Sequence, residues 1–129
     1  MRVAYVLLTK ERTDVEAELR WCEDFEVKIA FVDDASNKER PEFRRMMSFV
    51  EQGDIIYLDG FELVANNREE LFDFINVARQ RGVKLVSLAD MVSTIYRAND
   101  GIDMFKDKEF WIKRFEERVE SLRKEYETE

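Results

Sequence analysis

"FVDDASNKERPEFRRMMSFVEQGDIIYL", residues 31 to 58, is the stretch on which the fold turns. It begins at the end of an apolar run, Val27 to Val32, that has the length and content of a strand. The polar turn "DDASNKER" follows, and Pro41 stands where a helix tolerates proline, at its first position. Phe43, Met46, Met47 and Val50 then recur at helical spacing and give that helix one apolar face. Gly53 ends it, and "DIIYL" is the next strand. A strand, a helix and a second strand in so short a stretch describe a βαβ unit, whose strands run parallel.

Upstream, Arg2 to Leu8 is almost continuously apolar and suits a central strand covered on both faces. Thr13 and Glu16 read as a capping box that opens a helix to about Phe25, with Val15, Leu19 and Cys22 inward. Downstream, "DGFELVANN" leads through Asn67 as a cap into a helix over Arg68 to Arg81, with Leu71, Phe74, Ile75 and Ala78 inward. Gly82 closes that helix and "VKLVSL" is a fourth strand. The alternation predicts a three-layer α/β domain over residues 1–102, a mostly parallel sheet with helices on both faces. Chemistry in such sheets lies at the carboxyl ends of the strands, here Thr9, Asp33 with Asp34, Asp59 and Asp90.

After the turn "NDG" at 99–101, residues 103–129 predict a long amphipathic helix. Apolar residues fall at 105, 112, 119 and 126, with Phe115 and Leu122 interleaved. The helix either packs on its own domain or pairs with another subunit. The second reading gives a homodimer with Phe105, Trp111, Ile112, Phe115, Val119, Leu122 and Tyr126 at the interface.

Composition narrows the function classes. No window approaches the roughly 18 apolar residues of a membrane span, and "MRVAYVLLTK" lacks the features of a cleaved leader, so a soluble cytoplasmic protein is expected. Cys22, the only cysteine, cannot form an internal disulfide and reads as a buried hydrophobe beside Trp21. The absence of histidine removes the usual near-neutral base and the usual zinc ligand. Twenty-nine acidic against 21 basic residues, a net charge of −8, predict weak or no direct DNA binding.

Three stretches, in order and spacing, carry a resemblance: "AYVLLTK" at 4–10, the opening stretch at 31–58, and "RGVKLVSLADMVST" at 81–94. Together they resemble the catalytic domain of serine recombinases, the resolvase and invertase family. The resemblance implies a site in which a serine hydroxyl attacks a DNA phosphodiester inside a ring of arginines that stabilise developing charge. Carried over, the nucleophile falls on Thr9 and the first arginine on Leu7, while the Asp-Arg-x-x-Arg element falls on Glu62, Leu63 and Asn66. Arg40, next to Pro41, is retained from the arginine set, and Ser36 matches a family serine. Losing one such donor costs ~10²–10³ in rate, about 2.7–4 kcal/mol, and three arginines are replaced.

The expectation is a degenerate resolvase-like domain without strand cleavage and without a cofactor. It would act in DNA recombination as a dimerisation or regulatory module, pairing with itself, an active recombinase or another DNA-processing protein. One alternative is active strand exchange by Thr9 and Arg40, with Arg12 or Arg68 converging on them. Another is a metal-dependent phosphohydrolase or nuclease, in which Asp33, Asp34, Asp59, Glu62 and Asp90 offer oxygen ligands to Mg²⁺.

Overall fold

Five consecutive residues of β1 (Arg2–Leu8), Val3 to Leu7, are buried, which only a strand covered on both faces can achieve. In the computed structural model, which describes residues 1–89, 92–93 and 108–127, β1 is accordingly internal to the sheet. The order of elements is β1, α1 (Val15–Asp24), β2 (Ile29–Asp34), α2 (Pro41–Phe49), β3 (Ile55–Leu58), a short 3-10 turn (Phe61–Leu63), α3 (Arg68–Gln80), β4 (Lys84–Ser87), β5 (Val92–Ser93) and α4 (Lys108–Glu127). The sheet runs β2-β1-β3-β4-β5. β1 pairs in parallel with β2, Val3 opposite Ile29, and with β3, Val3 opposite Ile56. β3 and β4 are also parallel, and β5 adds an antiparallel edge through Val86 and Ser93.

The alternation of side chains along β1 separates two cores. Val3, Tyr5 and Leu7 face a large cluster with Met46 of α2, Leu71, Phe74 and Ile75 of α3, and Ile112, Phe115 and Val119 of α4. Ala4 and Val6 face a smaller one with Cys22 of α1 and Tyr57 of β3, flanked by Trp21 and Phe25. Helices therefore cover both faces, as the sequence predicts.

Several local expectations are corrected. Asp14, not Thr13, caps α1, its side chain accepting a hydrogen bond from Ala17 N–H at 3.2 Å. Val15 and Leu19 are among the exposed hydrophobic residues, and only Cys22 of the expected stripe is buried. The inward line of α1 is Trp21, Cys22 and Phe25, because the rings of Trp21, Phe25 and Tyr57 stack in series against the sheet. β2 begins at Ile29 rather than Val27, since Val27 N–H still closes α1 by donating to Cys22 C=O at 3.0 Å. α2 ends at Phe49, before Gly53, where the Arg81 guanidinium caps its last carbonyls by donating to Met47 and, at 2.7 Å, to Val50.

The C-terminal helix brings the largest correction. Ile112, Phe115 and Val119, expected at an interface with another subunit, fill this chain's own core and are at most 7% exposed. Their apolar stripe meets the domain rather than solvent. Leu122 is half-buried against the same face. Phe105 and Asp90 lie outside the described residues, as do the side chains of Trp111 and Tyr126. Among the described residues no helix is long and apolar enough to cross a membrane.

Candidate functional site

The chain enters β2 on one side of β1 and β3 on the other, so the strand order reverses at β1. Crevices in open α/β sheets form at the carboxyl end of such a reversal. Here the carboxyl end of β1 is overlaid by α4, and two of the cavities lined by described residues lie beside it.

Thr9, one residue past β1, lines the smaller, about 200 Å³ in volume. It closes a tight turn with Arg12: Thr9 N–H donates to Arg12 C=O at 3.2 Å, and Arg12 N–H reaches both the carbonyl and Oγ1 of Thr9 at 3.1 Å. Thr9 is buried, with Arg118, Ser121 and Glu125 of α4 around the same cavity. Lys10 Nζ donates to Glu125 C=O at 2.8 Å, and Glu11 N–H donates to the Glu125 carboxylate at 3.1 Å. These α4 residues have no counterpart in the sequence-based site. They lie more than a hundred positions from Thr9, and their one signal is polarity next to Val119 and Leu122.

Arg40 lines the larger cavity, about 680 Å³, with Tyr5, Phe43, Asn66, Leu122 and Arg123 among its walls. Thr9 does not line it, and Arg40 does not line the smaller one; Glu62, Leu63 and Leu122 border both. Arg40 occupies the N-cap position of α2 at φ 49, ψ 58, a left-handed conformation, and its Nη1 is sealed from solvent with no hydrogen-bond partner. Tyr5 OH donates to Asp33 at 2.8 Å. Burial first, and then the adjacent Asp33 carboxylate, raise the Tyr5 hydroxyl well above the ordinary phenol range, with the Arg40 charge opposing them.

The carboxylates proposed for a metal are committed elsewhere. Asp33 accepts from Glu42 N–H at 3.0 Å and Phe43 N–H at 2.9 Å, so it is the remote cap of α2. Asp34 accepts from the backbone and hydroxyl of Ser36 at 2.8 and 2.7 Å, contacts that hold its carboxyl below the usual range. Asp59 pairs with Arg12, and Glu62 pairs with Arg118 at 3.0 Å. Among the described residues no group of three or more metal-ligating side chains forms.

Nor do the arginines converge. Arg12 is held by Asp59, and Arg68 by Glu116 at 2.8 Å, with Glu109 farther off at 3.5 Å. Asn66 is exposed and its amide donates to Glu70 at 3.2 Å. Leu7 and Leu63, where the resemblance places arginines, are buried in the large core. Of the family-like constellation, Arg40 lines the larger cavity, with its charge felt by Asp34 and Tyr5 and its Nη1 buried without a hydrogen-bond partner.

Comparison with known proteins bears on this geometry. The family described as "Resolvase, N terminal domain" matches residues 9–124. The Transposon Tn501 resolvase of Pseudomonas aeruginosa and the Tn1721 resolvase of Escherichia coli are each 30% identical over 91 residues, 69% of this chain and 47% of theirs. The chain thus spans about half the length of these relatives. Among solved structures, the N-terminal catalytic domain of TP901-1 integrase superposes with a TM-score of 0.59 at 17% identity, covering 93% of this chain and 99% of that one. At that identity the likeness concerns the fold.

Proposed function

This chain belongs to the resolvase N-terminal domain family, a serine-recombinase fold related to DNA recombination, and from that membership we propose that it works as a regulatory or pairing module without strand-cutting chemistry. One observation carries the reading: Thr9 and Arg40 line different cavities, which share Glu62, Leu63 and Leu122 as lining residues. In this arrangement no one of these cavities is lined by both the Thr9 hydroxyl and the Arg40 guanidinium. Attack on a phosphodiester needs nucleophile and charge-stabilising donors on the same phosphorus, in near-attack geometry. Thr9 Oγ1 instead accepts a backbone hydrogen bond in a turn, with α4 alongside.

The active alternative using Arg12 or Arg68 is disfavoured because both are ion-paired away from Arg40. The metal-dependent alternative is disfavoured because Asp33, Asp34, Asp59 and Glu62 each have a structural partner. The test is a search for covalent protein–DNA product after incubation with supercoiled plasmid and a denaturing quench. The wild-type chain and Thr9→Ala should be equally blank. An adduct in the wild type that disappears in Thr9→Ala would establish the chain as a cutting enzyme instead.

A further inference from the structure

β2 is the outermost strand on one side of the sheet and pairs only with β1 among the described residues. That pairing fixes which backbone groups face outward. Ala35 N–H donates to Leu8 C=O, with Leu8 opposite Asp34, so the parallel ladder turns Phe31 and Asp33 towards β1 and Ala30 and Val32 away from it. The N–H and C=O groups of Ala30 and Val32 accordingly meet no backbone partner among the described residues. Such an edge is a template for another strand, and natural sheets that stay single blunt it with proline, a bulge or an inward-pointing charge. Over Ile29–Asp34 no proline stands, and the pairing with β1 runs without a bulge. Beside the edge Phe49 of α2 is exposed, its ring 5.8 Å from that of Phe31. Lys28 and Asp34, both exposed, stand at opposite ends of the strand, and Asp34 engages Ser36 through Oδ1 alone.

We propose that β2 pairs antiparallel with β2 of a second copy of this chain, Phe31 opposite Phe31 on the two-fold axis, so that the two sheets become one. The inference rests on the pairing role proposed above and gives it a surface. Parity and charge select the register. The outward groups lie on even-numbered residues, so the free groups of both strands bond only where even stands opposite even. With Phe31 on the axis, Ala30 and Val32 form a doubly hydrogen-bonded pair on either side of it, and Lys28 stands opposite the partner's Asp34 at both ends. Sliding one strand by two residues either sets Glu26 against the partner's Asp34, acid on acid, or moves Lys28 away to Ser36. The chosen register also brings the two copies of Phe31 and Phe49 towards one another, which shelters the exposed ring. Neither core opens, and α4 stays in place.

Sedimentation velocity on the full chain, across a concentration series, tests this. The wild type should show a reversible dimer in rapid exchange. Val32→Pro removes an outward N–H and leaves the β1 ladder intact, so it should be monomeric with a native circular dichroism spectrum. Lys28→Glu and Asp34→Lys should each weaken pairing about fivefold or more, and the chain carrying both should regain it, because the cross-strand pairs re-form with their signs exchanged. Under mild oxidation a mixture of Lys28→Cys and Asp34→Cys chains should yield a disulfide-linked dimer and neither chain alone should, since directly opposite Cα atoms about 5.5 Å apart are within disulfide reach. Cys22 is buried and does not compete. A wild type that stays monomeric throughout would overturn the proposal. So would a dimer indifferent to Val32→Pro and to both charge reversals, an outcome that leaves pairing through α4 standing. Neither result bears on the covalent-adduct test.

Discussion

The first turn of α2 has no cap from the residue that precedes it, because Arg40 is held left-handed and makes no side-chain cap bond. Asp33, seven positions before Arg40, does that work, its carboxylate accepting two backbone N–H groups of α2 and the Tyr5 hydroxyl. Hydrogen bonds to a charged acceptor contribute about 1.5–3 kcal/mol each when removal leaves the partners buried. Asp33→Asn is therefore expected to lower stability by about 2–3 kcal/mol and Tyr5→Phe by about 1 kcal/mol in urea unfolding. The two effects should combine with less than additive loss, because both remove the same bond. This role was illegible in sequence: a carboxylate at a strand end looks the same whether it will hold a metal, face solvent or cap a helix several residues on. Arg40 itself was legible, through Pro41 and the Ala-Ser turn before it.

At the scale of elements, α4 is fastened to the loop after β3 through Glu62, and Gly60 makes that possible. A Cβ at Gly60 would overlap the Glu62 carboxylate, lying 2.8 Å from its Cδ. Gly60→Ala should thus push Glu62 off Arg118 and cost about 1–3 kcal/mol, much as Glu62→Ala does. In the Glu62→Ala background the same Gly60→Ala change should cost under about 0.5 kcal/mol in a double-mutant cycle; equal costs in both backgrounds would mean Gly60 serves something else. A second fastening, Arg68 to Glu116, gives a pH dependence. The Arg68 hydrogen bond holds the Glu116 carboxyl below its ordinary value, so its contribution is complete above the unfolded value of about 4.3 and is lost as pH falls through the lower folded one. Thermal melts of Glu116→Gln should accordingly lose less on acidification than those of the wild type, and the difference should shrink in high salt because the pair is exposed. Elements with a full apolar stripe were readable in advance; α3 buries the four residues its periodicity marks. α1 was not, since its inner face is chosen by aromatic stacking on Tyr57 across the sheet, which no local pattern records. Nor was β5, whose two residues are too few to show a period.

For the whole molecule, three of the residues expected to join two subunits, Ile112, Phe115 and Val119, already occupy this chain's core, so pairing through them requires α4 to leave its own domain and seat on another copy's. Such exchange breaks and remakes a buried core, and it is slow. Gel filtration and sedimentation at tens of micromolar should then resolve a dimer from a monomer, with interconversion slower than the separation. One monomeric species at every concentration would remove pairing from the proposed role. The fold class and the mostly parallel sheet were readable from the alternation of elements; what covers the carboxyl end of β1 was not, because α4 meets β1 across almost the whole sequence. That span has a consequence during synthesis. Lys10, at the exit of β1, meets Glu125 over a separation of 115 residues, and β2 and β3 also follow β1 in the chain. At about 5–20 residues per second the ribosome takes roughly 6–23 s to supply that partner. Through this interval Val3 to Leu7 of β1, buried in the finished protein, are made but still lack α4, and that incomplete cover leaves them open to chaperones and to neighbouring nascent chains.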